Sequence, residues 1–180
     1  MLMENFKSGF VSIIGKTNVG KSTLINSLVG EKVAIITPKT QTTRTQIRAI
    51  VNNESSQIIF IDTPGIHKPK TKLGEIMIAS SLGTISNVDL VLFLVDATSS
   101  VIDKGNSTIL EKLKEQNPKT ILIINKIDLV KKEKILELID MYSRAYNFES
   151  IIPISAKKKE DTSGLLKEIE QRMPFRTSIL

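Results

Sequence analysis

Residues Gly15-Lys16-Thr17-Asn18-Val19-Gly20-Lys21-Ser22 place two glycines, a lysine and a hydroxyl at the spacing of a loop that wraps phosphate. The glycines let the backbone curl so that successive N–H groups point inward at phosphate oxygens. The N-terminus of the following helix adds further donors. Lys21 is placed to reach the β- and γ-phosphates of a nucleotide, and Ser22 to put its hydroxyl on Mg²⁺. Lys16, Thr17, Asn18, Val19 and Thr23 belong to the same loop and are expected to line the nucleotide.

Asp62-Thr63-Pro64-Gly65 follows downstream. A carboxylate ending a strand beside a phosphate loop can hold Mg²⁺ through water. The Gly65 N–H can meet a terminal phosphate where a Cβ would crowd it. Alone, this tetrapeptide is an ordinary turn; after a phosphate loop it reads as the second half of a site. Asn125-Lys126-Ile127-Asp128 and Ser155-Ala156-Lys157 end two later apolar runs. The Asp128 carboxylate can accept two parallel hydrogen bonds, matching the N1–H and exocyclic amine of guanine. Adenine lacks that donor pair, and a site built this way discriminates by as much as ~10⁴–10⁵. Asn125 is expected to tie this loop to the phosphate loop. The Lys126 stem is expected to lie over the base, and the Ala156 N–H to meet the guanine oxygen.

The elements that must position these residues alternate. Short β-branched runs at 10–14, 47–51, 57–61, 90–95, 120–124 and 151–154 read as strands, the second and third joined as a hairpin by a polar turn. Runs 90–95 and 120–124 are apolar throughout, as in strands buried on both faces. Helical spacing marks 21–29, 107–116, 131–146 and a last helix through Leu165, Leu166, Ile169 and Met173, capped by Thr162 or Ser163. A further helix is expected at 73–86 and an aperiodic loop at 31–45. The pattern predicts an α/β fold of three layers, a mostly parallel six-stranded sheet with one antiparallel strand and helices on both faces. One domain is expected over 1–173, with 174–180 a tail that has no element to join.

With 180 residues, 41% hydrophobic and 24% charged, the chain can bury a core without staples. It has no cysteine and one histidine, which excludes disulfides, thiolate catalysis and cysteine-ligated zinc. The N-terminal segment has no signal-peptide core, and the longest apolar stretch is too short to cross a membrane. A net charge of +6 permits contact with nucleic acid or an acidic membrane without establishing either. Aromatic residues are only 4%, which argues against a base-stacking platform for single-stranded RNA.

With its nucleotide motifs in this order, the chain resembles the translation-factor-class small GTPases over residues 10–173. Within them it resembles the Era family, through GKTNVGKS, ITPKTQTTRTQIRAI and DTPGIHKPKTKLGE. The resemblance implies a P-loop GTPase that binds GTP and GDP with Mg²⁺ and hydrolyses slowly. Lys21, Thr43 and Gly65 are the implied catalytic residues; Ser22, Thr43 (or Thr42) and Asp62 are the implied Mg²⁺ ligands. Asn18 matches a potassium-binding position in related GTPases, against the alternative of a plain turn asparagine. Ile66 stands where Ras-like enzymes carry a water-orienting glutamine. His67 reads as an exposed switch residue rather than a base.

The family's further implications are a cytoplasmic, monomeric protein acting on the small ribosomal subunit and its 16S rRNA through a C-terminal KH domain. No Gly-x-x-Gly of such a domain occurs in this chain. Peripheral association with the inner face of the cell membrane is a further expectation. Rival readings are a Der-like or tRNA-modification GTPase domain, or a guanine-nucleotide-binding module without useful turnover.

Overall fold

The computed structural model describes residues 5–30, 46–62 and 85–180. The expected loop at 31–45 and most of the helix at 73–86 lie outside them; Ile85–Asn87 forms a 3-10 turn. Six strands form one sheet: β1 (Lys7–Gly15), β2 (Gln46–Asn52), β3 (Ser56–Asp62), β4 (Leu90–Asp96), β5 (Thr120–Asn125) and β6 (Ser150–Pro153), in the order β2-β3-β1-β4-β5-β6. All neighbours pair in parallel except β2 with β3. Asn53 closes that hairpin, its Oδ1 accepting from the N–H groups of Ser55 at 2.9 Å and Ser56 at 2.7 Å. Every residue of β5 is buried, the reason that run carries no polar alternation.

Four helices are described: α1 (Lys21–Val29), α2 (Lys104–Gln116), α3 (Lys132–Ala145) and α4 (Thr162–Gln171). The side chains of each central strand alternate between two cores. On one face Val11, Ile13, Leu92 and Ile123 pack with Leu24 and Leu28 of α1 and Leu165 and Ile169 of α4. On the other, Ile14, Phe93 and Ile124 pack with Leu110 and Leu113 of α2 and Leu138 and Tyr142 of α3. The expected three-layer α/β architecture is borne out.

Two local expectations are corrected. Helix α2 begins at Lys104 rather than Ser107, because Asp103 caps it: its Oδ1 accepts from the Asn106 N–H at 2.9 Å. The poor helix formers Gly105 and Asn106 hide that first turn from a propensity reading. Helix α4 is preceded by Asp161 in the left-handed conformation, and neither Thr162 nor Ser163 is its cap. Thr162 is the first helical residue, and its hydroxyl donates to the Lys159 carbonyl at 3.3 Å.

The tail does find an element to join. Phe175 bridges antiparallel to Lys7, and the Arg176 guanidinium donates to both Asp89 oxygens at 3.0 and 3.2 Å. The N–H groups of Ile179 and Leu180 donate to Gln57 Oε1 at 2.8 and 3.0 Å. Ile179 packs on Ile50, Ile59 and Ile61. These are contacts between residues more than 80 positions apart, so local pattern carries no sign of them.

Candidate functional site: a nucleotide cleft at one sheet edge

In a parallel sheet all strands finish on the same side, and here those ends carry the motif residues. Strand β1 ends at Gly15, β3 at Asp62, β4 at Asp96 and β5 at Asn125. Register places Ile13 beside Asp62, Gly15 beside Leu94 and Asp96 beside Asn125. Because β1 is flanked by β3 and β4, the chain leaves it at a topological switch point, where an open α/β sheet forms a crevice.

The loop after β1 turns on Asn18 at φ 64° and Gly20 at φ 101°. A Cβ on Gly20 would collide with Asn125 Nδ2, so both the backbone angle and the neighbour require glycine there. A Cβ on Gly15 would stand 2.8 Å from the Leu94 carbonyl oxygen. Helix α1 then starts at Lys21, its first hydrogen bond running from the Leu24 N–H to the Gly20 carbonyl at 2.9 Å. The N–H groups before Leu24 have no acceptor within the helix, the arrangement that receives an anion. Lys21 Nζ lies over this loop, donating to the Gly15 carbonyl at 3.1 Å.

Asn125, buried at 3% exposure, joins three segments. Its Nδ2 donates to the Val19 carbonyl at 2.9 Å, and its Oδ1 accepts from the Ala156 N–H at 3.0 Å. The expected tie to the phosphate loop is therefore present. The Ala156 N–H, expected to face a guanine oxygen, is engaged by Asn125 instead, because a buried amide oxygen needs a donor. Asp128 sits in the 3-10 turn Ile127–Leu129, and its Oδ1 accepts from the Ser155 hydroxyl at 2.8 Å. Each carboxylate oxygen has two lone pairs, so this bond fixes the group without exhausting it. Lys126 adopts φ 66°; its Nζ donates to the Asn18 carbonyl at 2.6 Å and Asp96 Oδ2 at 2.8 Å.

Residues 10–126 match the protein family described as 50S ribosome-binding GTPase. The chain belongs to this family. It is 49% identical over 170 residues to GTPase Era of Ruminiclostridium cellulolyticum, covering 94% of this chain and 57% of that protein. It is 51% identical over 166 residues to GTPase Era of Clostridioides difficile, covering 92% and 56%. Among solved structures it is similar, with TM-score 0.78 and 38% identity, to Era in complex with MgGDPNP and nucleotides 1506–1542 of 16S ribosomal RNA. That match covers 97% of this chain and 60% of the other. A variant of Aquifex aeolicus Era bound to GDP·AlF4⁻ matches with the same TM-score, identity and coverage. The chain spans a little over half the length of the curated relatives it matches. The resemblance to Era read from the motifs is borne out.

Within this GTPase domain, the described residues gather the phosphate loop, Asn125, Lys126, Asp128, Ser155 and Ala156 at one edge. Lys157 follows them in the exposed part of its turn. Thr42, Thr43, Thr63, Pro64, Gly65, Ile66 and His67 lie outside the described residues. Asp62 closes β3 on the same edge.

Three side chains at this edge escape sequence reasoning. Arg48 donates to the Ser22 hydroxyl at 3.0 Å. The pairing of β2 with β3 shifts register between Ile47 and Ala49, and a bulge at Arg48 re-aims its side chain. Lys16 pairs with Asp103, the cap of α2, with its stem beside Gly105. Burial raises the Asp103 pKa, but the Asn106 N–H and Lys16 outweigh it and hold the carboxyl below its ordinary range. Asp96 behaves alike: burial pushes it up, and hydrogen bonds from Lys126 and Thr98 pull it further down. Only Asp96 left a sequence signal, a carboxylate ending a buried strand, the same sign that singles out Asp62.

Proposed function

We propose that this chain binds GTP with Mg²⁺ and hydrolyses it to GDP and phosphate, using the nucleotide state as a conformational switch. The observation that carries the reading is Asn125, which hydrogen-bonds to the phosphate loop on one side and to the Ala156 turn on the other. That link supports reading the loop after β1 as the phosphate wrap and Asp128 as the guanine reader of one cleft.

In this reading Gly15, Lys16, Thr17, Asn18, Val19 and Gly20 wrap the phosphates and Thr23 flanks them. The Lys21 ammonium moves from the Gly15 carbonyl to the β- and γ-phosphate oxygens. Water attacks the γ-phosphorus, the bond to the β–γ bridging oxygen breaks, and GDP leaves with the bonding electrons. Lys21 offsets the charge that develops there, Thr43 closes over the γ-phosphate, and the Gly65 N–H donates to it. Thr63 and Pro64 belong to the same motif and are assigned to the nucleotide site with Gly65. Ile66 cannot orient water, so intrinsic turnover is slow.

Mg²⁺ fits the oxygen donors of Ser22, Thr43 and Asp62, and the Arg48 guanidinium at 3.0 Å from Ser22 Oγ already places a cation at that hydroxyl. When bound, the ion neutralises charge between the β- and γ-phosphates. Asp128 accepts the two guanine donors, and Ser155 holds its carboxylate. With the Ala156 N–H engaged, the guanine oxygen falls to the N–H of Lys157. We assign a potassium ion to Asn18.

By similarity to Era, the protein acts on the small ribosomal subunit through 16S rRNA, with the RNA contact in a KH domain beyond the span matched here. A cytoplasmic monomer, with peripheral contact at the inner membrane face, accords with this role. Among the described residues, no helix is long and apolar enough to cross a membrane.

Competition binding with GTP, ATP and XTP tests the base reading. GTP binds far more tightly than ATP, and Asp128→Asn shifts preference toward XTP, whose base carries a carbonyl where guanine carries its amine. Equal affinity for ATP and GTP in the unmutated chain overturns it.

A further inference from the structure

We infer that Asp96 is a positioning residue for the guanine subsite, acting through Lys126; the inference rests on the guanine-nucleotide reading above. The Asp96 carboxylate divides its two oxygens between two tasks. Oδ1 accepts from the N–H of Thr98 at 2.8 Å and from its hydroxyl at 2.7 Å, closing the turn after β4. Oδ2 accepts from Lys126 Nζ at 2.8 Å. The same ammonium donates to the Asn18 carbonyl at 2.6 Å. A single lysine head is thus held between the end of β4 and the phosphate loop.

The backbone at both ends of this link is fixed. Asp96 lies in register beside Asn125, the residue before Lys126, and the Ala97 N–H donates to the Asn125 carbonyl at 2.9 Å. Lys126 and Asn18 both take left-handed backbone angles, which cost a non-glycine residue roughly 1–2 kcal/mol and persist where surrounding contacts hold them. The side chains are partly buried, Lys126 at 31% and Asp96 at 24% exposure, so solvent screens the pair less than one at the surface.

Four rotatable bonds separate the lysine backbone from its head. With both Asp96 and the Asn18 carbonyl as anchors, the apolar stem spans the cleft as a fixed ledge, the surface on which a flat base lies. Without Asp96 the head keeps one neutral acceptor, and the stem samples solvent-directed rotamers. The bound base must then pay to order it. This cost falls on the base side of the ligand, so GDP and GTP feel it equally.

The experiment is a double-mutant cycle read by the affinity of the chain for GDP and GTP in Mg²⁺, with thermal unfolding run alongside. Asp96→Asn retains a carbonyl for Thr98 and removes the charge that faces Lys126; it weakens both nucleotides by about tenfold. Asp96→Glu restores the charge on a longer stem and recovers part of the loss. In a Lys126→Met background, Asp96→Asn adds no further loss. A role confined to capping the Thr98 turn gives the opposite signs: Asn binds better than Glu, and the losses add in the double variant. Either of those results, or wild-type affinity in a folded Asp96→Asn, overturns the inference. If Asp96→Asn does not fold, the comparison of Asp96→Glu in the wild-type and Lys126→Met backgrounds carries the same cycle. If the unmutated chain itself fails to prefer guanine nucleotides, the underlying reading has failed instead.

Discussion

Asn125 donates its amide hydrogen to the carbonyl of Val19, a residue 106 positions earlier, at 2.9 Å in a fully enclosed setting. The other end of the same amide receives the Ala156 N–H at 3.0 Å. One side chain therefore satisfies two buried backbone groups on two loops. It is the physical reason that the loop after β1 and the turn at Ala156 keep one geometry.

Asn125→Ala leaves the Val19 carbonyl and the Ala156 N–H buried without that partner. Each such group costs roughly 1–3 kcal/mol, so the variant loses about 2–6 kcal/mol of folding stability as well as nucleotide affinity. Urea unfolding without nucleotide isolates the structural part. An unchanged midpoint and slope would show that the two loops are held by other contacts.

Tyr142 supplies an alkaline signature. Burial pushes its phenol from 10 up to about 12; the hydrogen bond from Asn106 Nδ2, 3.1 Å long, pulls it down, and the Asp103 charge adds to the rise. The folded state keeps a proton that the unfolded state releases above pH 10. Its contribution is therefore complete below pH 10 and is lost as pH climbs toward 12, to the extent of roughly 2 kcal/mol. Tyr142→Phe removes that part of the slope. Matching slopes for the two proteins between pH 9.5 and about 11.5 would refute the assignment.

Residues 32–45 and 65–74 carry few core-forming side chains, and Thr43 stands in the first of them. Contacts to the γ-phosphate and Mg²⁺ are expected to order these segments. Hydrogen exchange with GDP and with a non-hydrolysable GTP analogue differs most there, with greater protection in the analogue. The same protection in both states would leave no switch.

Potassium dependence follows from the charge that hydrolysis develops between the β- and γ-phosphates. The chain has five arginines, and the one described beside the phosphate loop, Arg48, is spent on the Ser22 hydroxyl. Asn18 is exposed at φ 64°, and its carbonyl accepts from Lys126 Nζ. Hydrolysis is expected to run roughly tenfold faster in KCl than in NaCl, and Asn18→Ala to abolish the difference. Equal ionic strength is required, because general screening otherwise imitates a specific ion. Identical rates in the two salts would reduce Asn18 to a turn residue.

Sequence alone determined the features whose cause is local. The six strands and four described helices follow from apolar runs and helical spacing, because burial on one or two faces dictates residue type at a fixed period. The phosphate loop is legible because its glycines answer a steric demand, seen at Gly20 against Asn125. Asp128 is legible because hydrogen-bond chemistry dictates its carboxylate. Tertiary structure decided whatever depends on a partner distant in the chain. Asp103 sets the start of α2 and also meets Lys16, 87 positions away. The bulge that turns Arg48 toward Ser22 is a property of the β2–β3 pairing, and the tail finds its place through Asp89 and Gln57. Asp96 stands between the two cases. Its position at the end of a buried strand is written in the sequence, but only the parallel register that sets β4 beside β5 brings it to Lys126. A charge has no periodicity of its own; what it does is fixed by the atom that folding brings within 3 Å of it.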